Sequence, residues 1–167
     1  MHLIKTSLCA ALGAVVVSSA HAKESLPTAD AIEVFKARHE LVLLREGKPI
    51  KTYRVSLGIR SKGQKQQQGD HHTPEGRYVI DYHNYASAFH LSLHISYPSA
   101  SDRKQAAARH VPPGGDIMIH GLPNGMGALA ILFLGVDWTD GCIAVNDEEI
   151  EEIAQAVPDG TPIVIHP

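Results

Sequence analysis

Across residues 89–96 apolar and polar side chains alternate without a break, with Phe89, Leu91, Leu93 and Ile95 on one face and His90, Ser92, His94 and Ser96 on the other. Only a backbone that reverses its side chains at every residue sorts them this way, so the segment predicts a β-strand with one buried face. Short β-prone runs recur at 32–35, 41–44, 52–57, 77–82, 116–120 and 162–165. The second and third are joined through Arg45-Glu46-Gly47-Lys48, a hairpin turn. Helix is scarce. Residues 102–110 form one short helix ending before Pro112, and a second begins after Asn146, which caps it with Glu149 three residues on. Ile150, Ile153 and Val157 give that second helix an apolar stripe, and Pro158 and Gly160 end it. Residues 61–76 are a polar loop long enough to serve as a functional flap.

The start of the chain reads as an export signal peptide over residues 1–22. Lys5 is its basic end, residues 8–17 its apolar stretch and Ala20-His21-Ala22 its cleavage site. The apolar run is shorter than the roughly 20 residues that cross a bilayer, so no stable membrane insertion is expected after cleavage. The mature part, residues 23–167, is long enough for one domain with a real core. The formal net charge is −3, and loss of Lys5 with the leader makes it one unit more acidic. With no basic block, nucleic acid is excluded as a partner.

Cleavage also removes Cys9 and leaves Cys142 as the lone cysteine of an exported chain. Export leads toward oxidising surroundings where cysteines normally pair, so a single one is either a packing residue or a free thiol with a task. A cysteine nucleophile needs a base, a group to orient that base, and donors for the oxyanion. His120 ends the apolar strand Ile117-Met118-Ile119 and precedes Gly121, while Cys142 follows Thr139-Asp140-Gly141. On these residues alone Cys142 fits a small buried hydrophobe equally well, and Thr139-Asp140-Gly141 an ordinary turn.

The combination resembles a known family. His120-Gly121 followed by Thr139-Asp140-Gly141-Cys142 is similar to the H-G…[S/T]-x-G-C signature of the L,D-transpeptidase catalytic domain, the YkuD type. Thr73-Pro74-Glu75-Gly76 resembles its T-P-x-G segment, and residues 41–58 its N-terminal hairpin. Residues 65–70, 90–98 and 137–145 resemble the small, single-domain, exported Gram-negative branch, and the likeness spans residues 32–167.

The resemblance implies a mainly β, sandwich-like fold with a few short helices, located in the periplasm and acting on peptidoglycan stem peptides. Cys142 would attack the L-to-D peptide bond next to meso-diaminopimelate, forming a thioester that passes to an amine. His120 is then the base, the Gly121 carbonyl orients it, and the amides of Gly141 and Cys142 are oxyanion donors, with Asp140 and Thr139 on the substrate side of the same turn. No metal or cofactor is called for. His94 and Tyr97 are read as lining the substrate groove, with an exposed strand face as the alternative. Two positions depart from the family pattern: Asp140 stands where many members have histidine, and Ala144 where they have arginine. An acid at 140 disfavours the thiolate unless it pairs elsewhere, and without the arginine a bidentate carboxylate clamp is missing, for which Arg77, Arg103 and Arg109 are candidate replacements. Hydrolysis on the same scaffold, including release of a peptidoglycan-linked lipoprotein, and an inactive wall-binding module are the alternatives.

The 11 histidines raise a metal alternative among His71, His72, His90, His94, His110 and His120. In a strand, however, His90 and His94 stand about 13 Å apart at ~3.3 Å per residue, too far to share an ion.

Overall fold

The structure is a computed structural model that describes residues 25–133 and 135–167. The leader assigned to residues 1–22, Cys9 included, lies outside the described residues.

Eight strands form one curled sheet in the order β3-β2-β1-β8-β4-β5-β6-β7. They are β1 (Ala31–Phe35), β2 (Glu40–Arg45), β3 (Lys48–Arg54), β4 (Gly76–Asn84), β5 (Ser92–Ile95), β6 (Met118–His120), β7 (Ile143–Ala144) and β8 (Pro162–His166). The turn between β2 and β3 has Glu46 and Gly47 at positive φ (52° and 72°), the twist that a two-residue hairpin requires. β4 carries the curl. Its first residues, Gly76 to Val79, pair with β8, and from Ile80 onward it pairs with β5 across an irregularity between Ile80 and Tyr82. One strand thus belongs to both halves of the sheet, which close on a single core of fully buried side chains that includes Ile32, Leu43, Leu93, Ile119, Ile143 and Ile163.

Among the described residues, two α-helices join the sheet. In α1 (Ala100–Ala108), Ser99 caps the first turn and Asp102 answers from the third position, so the helix starts earlier than the alanine run alone suggests. In α2 (Asp147–Ala156) the Asn146–Glu149 capping box forms as expected, and Ile150, Ile153 and Ala156 are buried against the sheet.

Two strand expectations need correction. The run predicted at 52–57 leaves the β2 ladder after Arg54: Ser56 instead exchanges hydrogen bonds with Ala144 in both directions, at 2.9 and 2.8 Å. The chain stays extended but changes partner, and this joins the far edge strand β7 back to the first half. The alternating run 89–96 is ladder only over β5, because His90 sits at φ 61° and interrupts the strand. Its polar face is not solvent-facing throughout, since Ser92 is fully buried opposite His120.

The long loop at 61–76 is pinned from below. The buried ammonium of Lys36 donates to the carbonyls of Gly63 (2.6 Å) and Thr73 (2.9 Å) and to Glu75 Oε1 (2.7 Å). Within the loop Asp70 accepts from Lys65 Nζ and from the amides of Gln66, Gln67 and His72. Burial opposes its ionisation, but these donors outweigh that effect and hold the carboxyl at about 2. Removing a buried charge strands its partners, so Lys36→Ala is expected to destabilise the fold by about 3 kcal/mol, read as a lowered urea midpoint. An unchanged midpoint contradicts this anchoring.

Candidate active site

The nucleophile candidate stands at the mouth of β7 and the base candidate at the end of β6. These strands run parallel with Ile119 opposite Ile143 and His120 opposite Ala144. Carried back one residue, the register sets Cys142 beside Met118, so Cys142 and His120 lie on neighbouring strands, two residues out of step. The turn before Cys142 is fixed by Thr139, whose buried hydroxyl donates to the Cys142 carbonyl (2.7 Å) and accepts from the Gly141 amide (3.1 Å). Gly141 has φ 128°, and a Cβ there would stand 2.7 Å from the His72 carbonyl oxygen. Only glycine fits, because the 61–76 loop lies directly on this turn. The Gly141 amide is therefore committed to Thr139, which corrects its expected part as an oxyanion donor.

His120 is buried, with Nδ1 2.7 Å from the Gly121 carbonyl oxygen. A carbonyl can only accept, so Nδ1 carries the proton and Nε2 keeps its lone pair. The ring lies against Phe89 (centroids 4.5 Å apart) and Trp138 (5.6 Å). Burial pushes the imidazole below its ordinary 6.5, while the Gly121 carbonyl pulls the other way more weakly. A Cβ at Gly121 would meet Asp147 Oδ1 at 2.7 Å and His90 and Ile150 at 3.1 Å, so a side chain there would displace its neighbours.

Cys142 is half-buried and is the free cysteine of the described residues. Its Sγ donates to the Asp116 carbonyl oxygen over 3.5 Å. Burial raises the thiol above its ordinary 9.0, and the carboxylates of Asp140 and Asp116 add to this; the Met118 backbone and Lys65 act in the opposite direction. The resting pair is thus a neutral thiol and a neutral imidazole.

Cys142 opens into a pocket of about 310 Å³ lined by Lys65, His71, Asp116, Ile117 and Asp140, with Gly114 and Gly115 on one wall. His120 is not among its lining residues. Asp140 pairs with His71, Nδ1 to Oδ1 2.8 Å, so the acid at this departure from the family pattern does have a partner.

Other expected site residues fall elsewhere. Tyr97 is buried in the core, where its hydroxyl donates to the Pro113 carbonyl (2.9 Å), which corrects its assignment to a groove. His94 bonds Asp81 (2.6 Å), stacks on Tyr82 and does not line the pocket. Arg77 lies on β4 opposite Val164, and Arg103 and Arg109 lie on or just after α1, outside the pocket lining, whose cation is Lys65. Lys65, marked in the sequence only within a segment of family resemblance, and His71, marked only as a metal candidate, reach the Cys142 pocket from the long loop. Among the described residues no group of three or more His, Cys, Asp or Glu is placed to hold a metal.

A curled, mainly β sheet thus brings Cys142 and a carbonyl-oriented imidazole, His120, to the ends of neighbouring strands. The model of the L,D-transpeptidase catalytic domain, YkuD, matches residues 29–165, and the chain belongs to that family. Solved structures agree in fold. The helical cell shape determining protein Pgp2 of Campylobacter jejuni superposes with a TM-score of 0.62 at 24% identity, covering 84% of this chain and 50% of that one. An L,D-transpeptidase of Mycobacterium tuberculosis gives 0.55 at 15%, covering 82% and 57%. One from Xylanimonas cellulosilytica gives 0.55 at 13%, covering 84% and 61%. The chain spans about half the length of the Campylobacter protein. No curated protein sequence matches it.

Proposed function

We propose that this chain is an exported, cysteine-dependent acyltransferase that works on peptidoglycan stem peptides in the periplasm. Cys142 attacks the carbonyl at the L-to-D bond next to diaminopimelate while His120 Nε2 takes the thiol proton. His120 then returns the proton to the departing amine, leaving a thioester on Sγ. The thioester passes to an amine acceptor. The observation that carries the reading is the 2.7 Å bond from His120 Nδ1 to the Gly121 carbonyl, which leaves Nε2 as the accepting nitrogen of a residue paired with β7, the strand that Cys142 immediately precedes. The Cys142 amide is the oxyanion donor left by the turn, since Thr139 holds that of Gly141.

The pocket also favours a second reading, hydrolysis on the same scaffold. No arginine is among its lining residues, and Lys65 is already bound to Asp70 and to the Gln67 carbonyl. A bidentate clamp for a second peptide is therefore missing, and water can serve as acceptor, including in release of a peptidoglycan-linked lipoprotein. Incubating the protein with purified tetrapeptide muropeptides and a D-amino acid separates the readings. A mass gain by exchange supports transfer and net loss of a residue supports hydrolysis. No change in any muropeptide, with the thiol reduced, rejects both.

The acylation step carries its own pH signature. Only neutral His120 accepts the thiol proton, and burial lowers its pKa, so it stays neutral to lower pH than a free imidazole. The rate of acylation by a carbapenem, followed by intact mass, is expected to fall at acid pH with its midpoint below 6.5. A decline centred at or above pH 6.5 contradicts this.

A further inference from the structure

The pocket over Cys142 contains an imidazole–carboxylate pair, His71 and Asp140, that the acylation step does not use. We propose that His71, oriented by Asp140, is the base that takes the proton from the acceptor as it attacks the thioester; this rests on the acyl-enzyme reading above.

The Asp140 carboxylate oxygen 2.8 Å from His71 Nδ1 can only accept, so the proton sits on Nδ1, and it is the neutral ring, with the lone pair on Nε2, that acts as the base. Both residues line the same pocket as Cys142. Stability is a poor reason for the pair: the Asp140 side chain is 86% exposed and that of His71 42%, and exposed ion pairs contribute little. The backbone nevertheless holds His71 with care. It occupies φ 59°, a left-handed conformation unfavourable for a residue with a Cβ, and its carbonyl accepts from the Arg60 amide (3.2 Å) and lies against Gly58, where a Cβ would collide with it.

The two imidazoles differ in access. His120 is enclosed by Phe89 and Trp138 and lies outside the pocket lining, whereas His71, partly exposed, lines the same pocket as Cys142. In the step, an N–H or O–H proton of the acceptor passes to His71 Nε2 as the new N–C or O–C bond forms. The C–S bond then breaks, the electron pair leaves on Sγ, and the proton on His71 returns through solvent to regenerate the thiol. Asp140 acts through His71 and is a positioning residue.

The test follows the two half-reactions separately in the full mature chain. Acylation is measured by intact mass with a carbapenem, and turnover with tetrapeptide muropeptides with and without a D-amino acid. His71→Ala is expected to acylate within about twofold of the parent, to accumulate acyl-enzyme, and to lose on the order of 10²-fold in turnover, with partial recovery in added imidazole. Asp140→Asn is expected to slow turnover less than His71→Ala does. His71→Gln, which preserves loop polarity, guards against a folding defect. Unchanged turnover in both His71 variants overturns the proposal, as does a raised KM with kcat retained, which assigns His71 to binding. A parent chain that never acylates overturns the acyl-enzyme reading instead.

Discussion

Cys142→Ala is expected to leave no carbapenem adduct by intact mass and to reduce muropeptide turnover on the order of 10⁶-fold, the scale on which loss of a nucleophile acts in enzymes that form an acyl intermediate. No other cysteine among the described residues can substitute for it. The fold should survive, because the side chain is only half-buried and its hydrogen bond to the Asp116 carbonyl is long at 3.5 Å. Alanine leaves one carbonyl to be solvated at the pocket floor, so the melting temperature should move by a few degrees at most. Cys142→Ser sharpens the result. A hydroxyl in the same place keeps the polar contact but loses the more acidic, more polarisable sulfur, so acylation should remain severely impaired although the turn is intact. Retained turnover in Cys142→Ala removes the thiol from the mechanism altogether.

Much of the scaffold behind that thiol was legible in the sequence because its signals are local. Alternation located β5, the Asn146–Glu149 pair located the start of α2, and Glu46-Gly47 located the hairpin turn. The candidate pair came from the resemblance of His120-Gly121 and Thr139-Asp140-Gly141-Cys142 to a family signature, because on its neighbours alone Cys142 fits a buried hydrophobe equally well. What failed was long-range. Nothing in residues 52–57 shows that Ser56 will abandon β2 for Ala144. Tyr97 reads as a groove residue until its hydroxyl finds the Pro113 carbonyl, which lets an amphipathic ring be buried. The Gly141 amide reads as free until the Thr139 side chain folds back onto it. The approach of the 61–76 loop, carrying Lys65 and His71, depends on Lys36, a residue far behind it in sequence whose buried ammonium sets the loop's height above the sheet.

His120→Gln is expected to slow acylation roughly 10³-fold near neutral pH, within the range a positioned general base supplies. The size follows from the state of the thiol. Burial, Asp140 and Asp116 hold Cys142 protonated well into the alkaline range, so without a base almost none of it is thiolate. A thiolate already present at rest would make the histidine nearly dispensable. The two cases differ in slope. With His120 absent, the residual rate should rise about tenfold per pH unit and keep climbing past pH 9, because hydroxide must now do what Nε2 did. In the parent the rate should be level over the same range, since the lowered pKa of His120 keeps it neutral throughout. Glutamine retains polar atoms in the enclosure formed by Phe89 and Trp138, so the site need not collapse. A His120→Gln protein whose rate is flat with pH, or within tenfold of the parent at pH 7, means that the thiol ionises without this imidazole. The base in acylation would then have to be sought on the pocket side, where His71 stands.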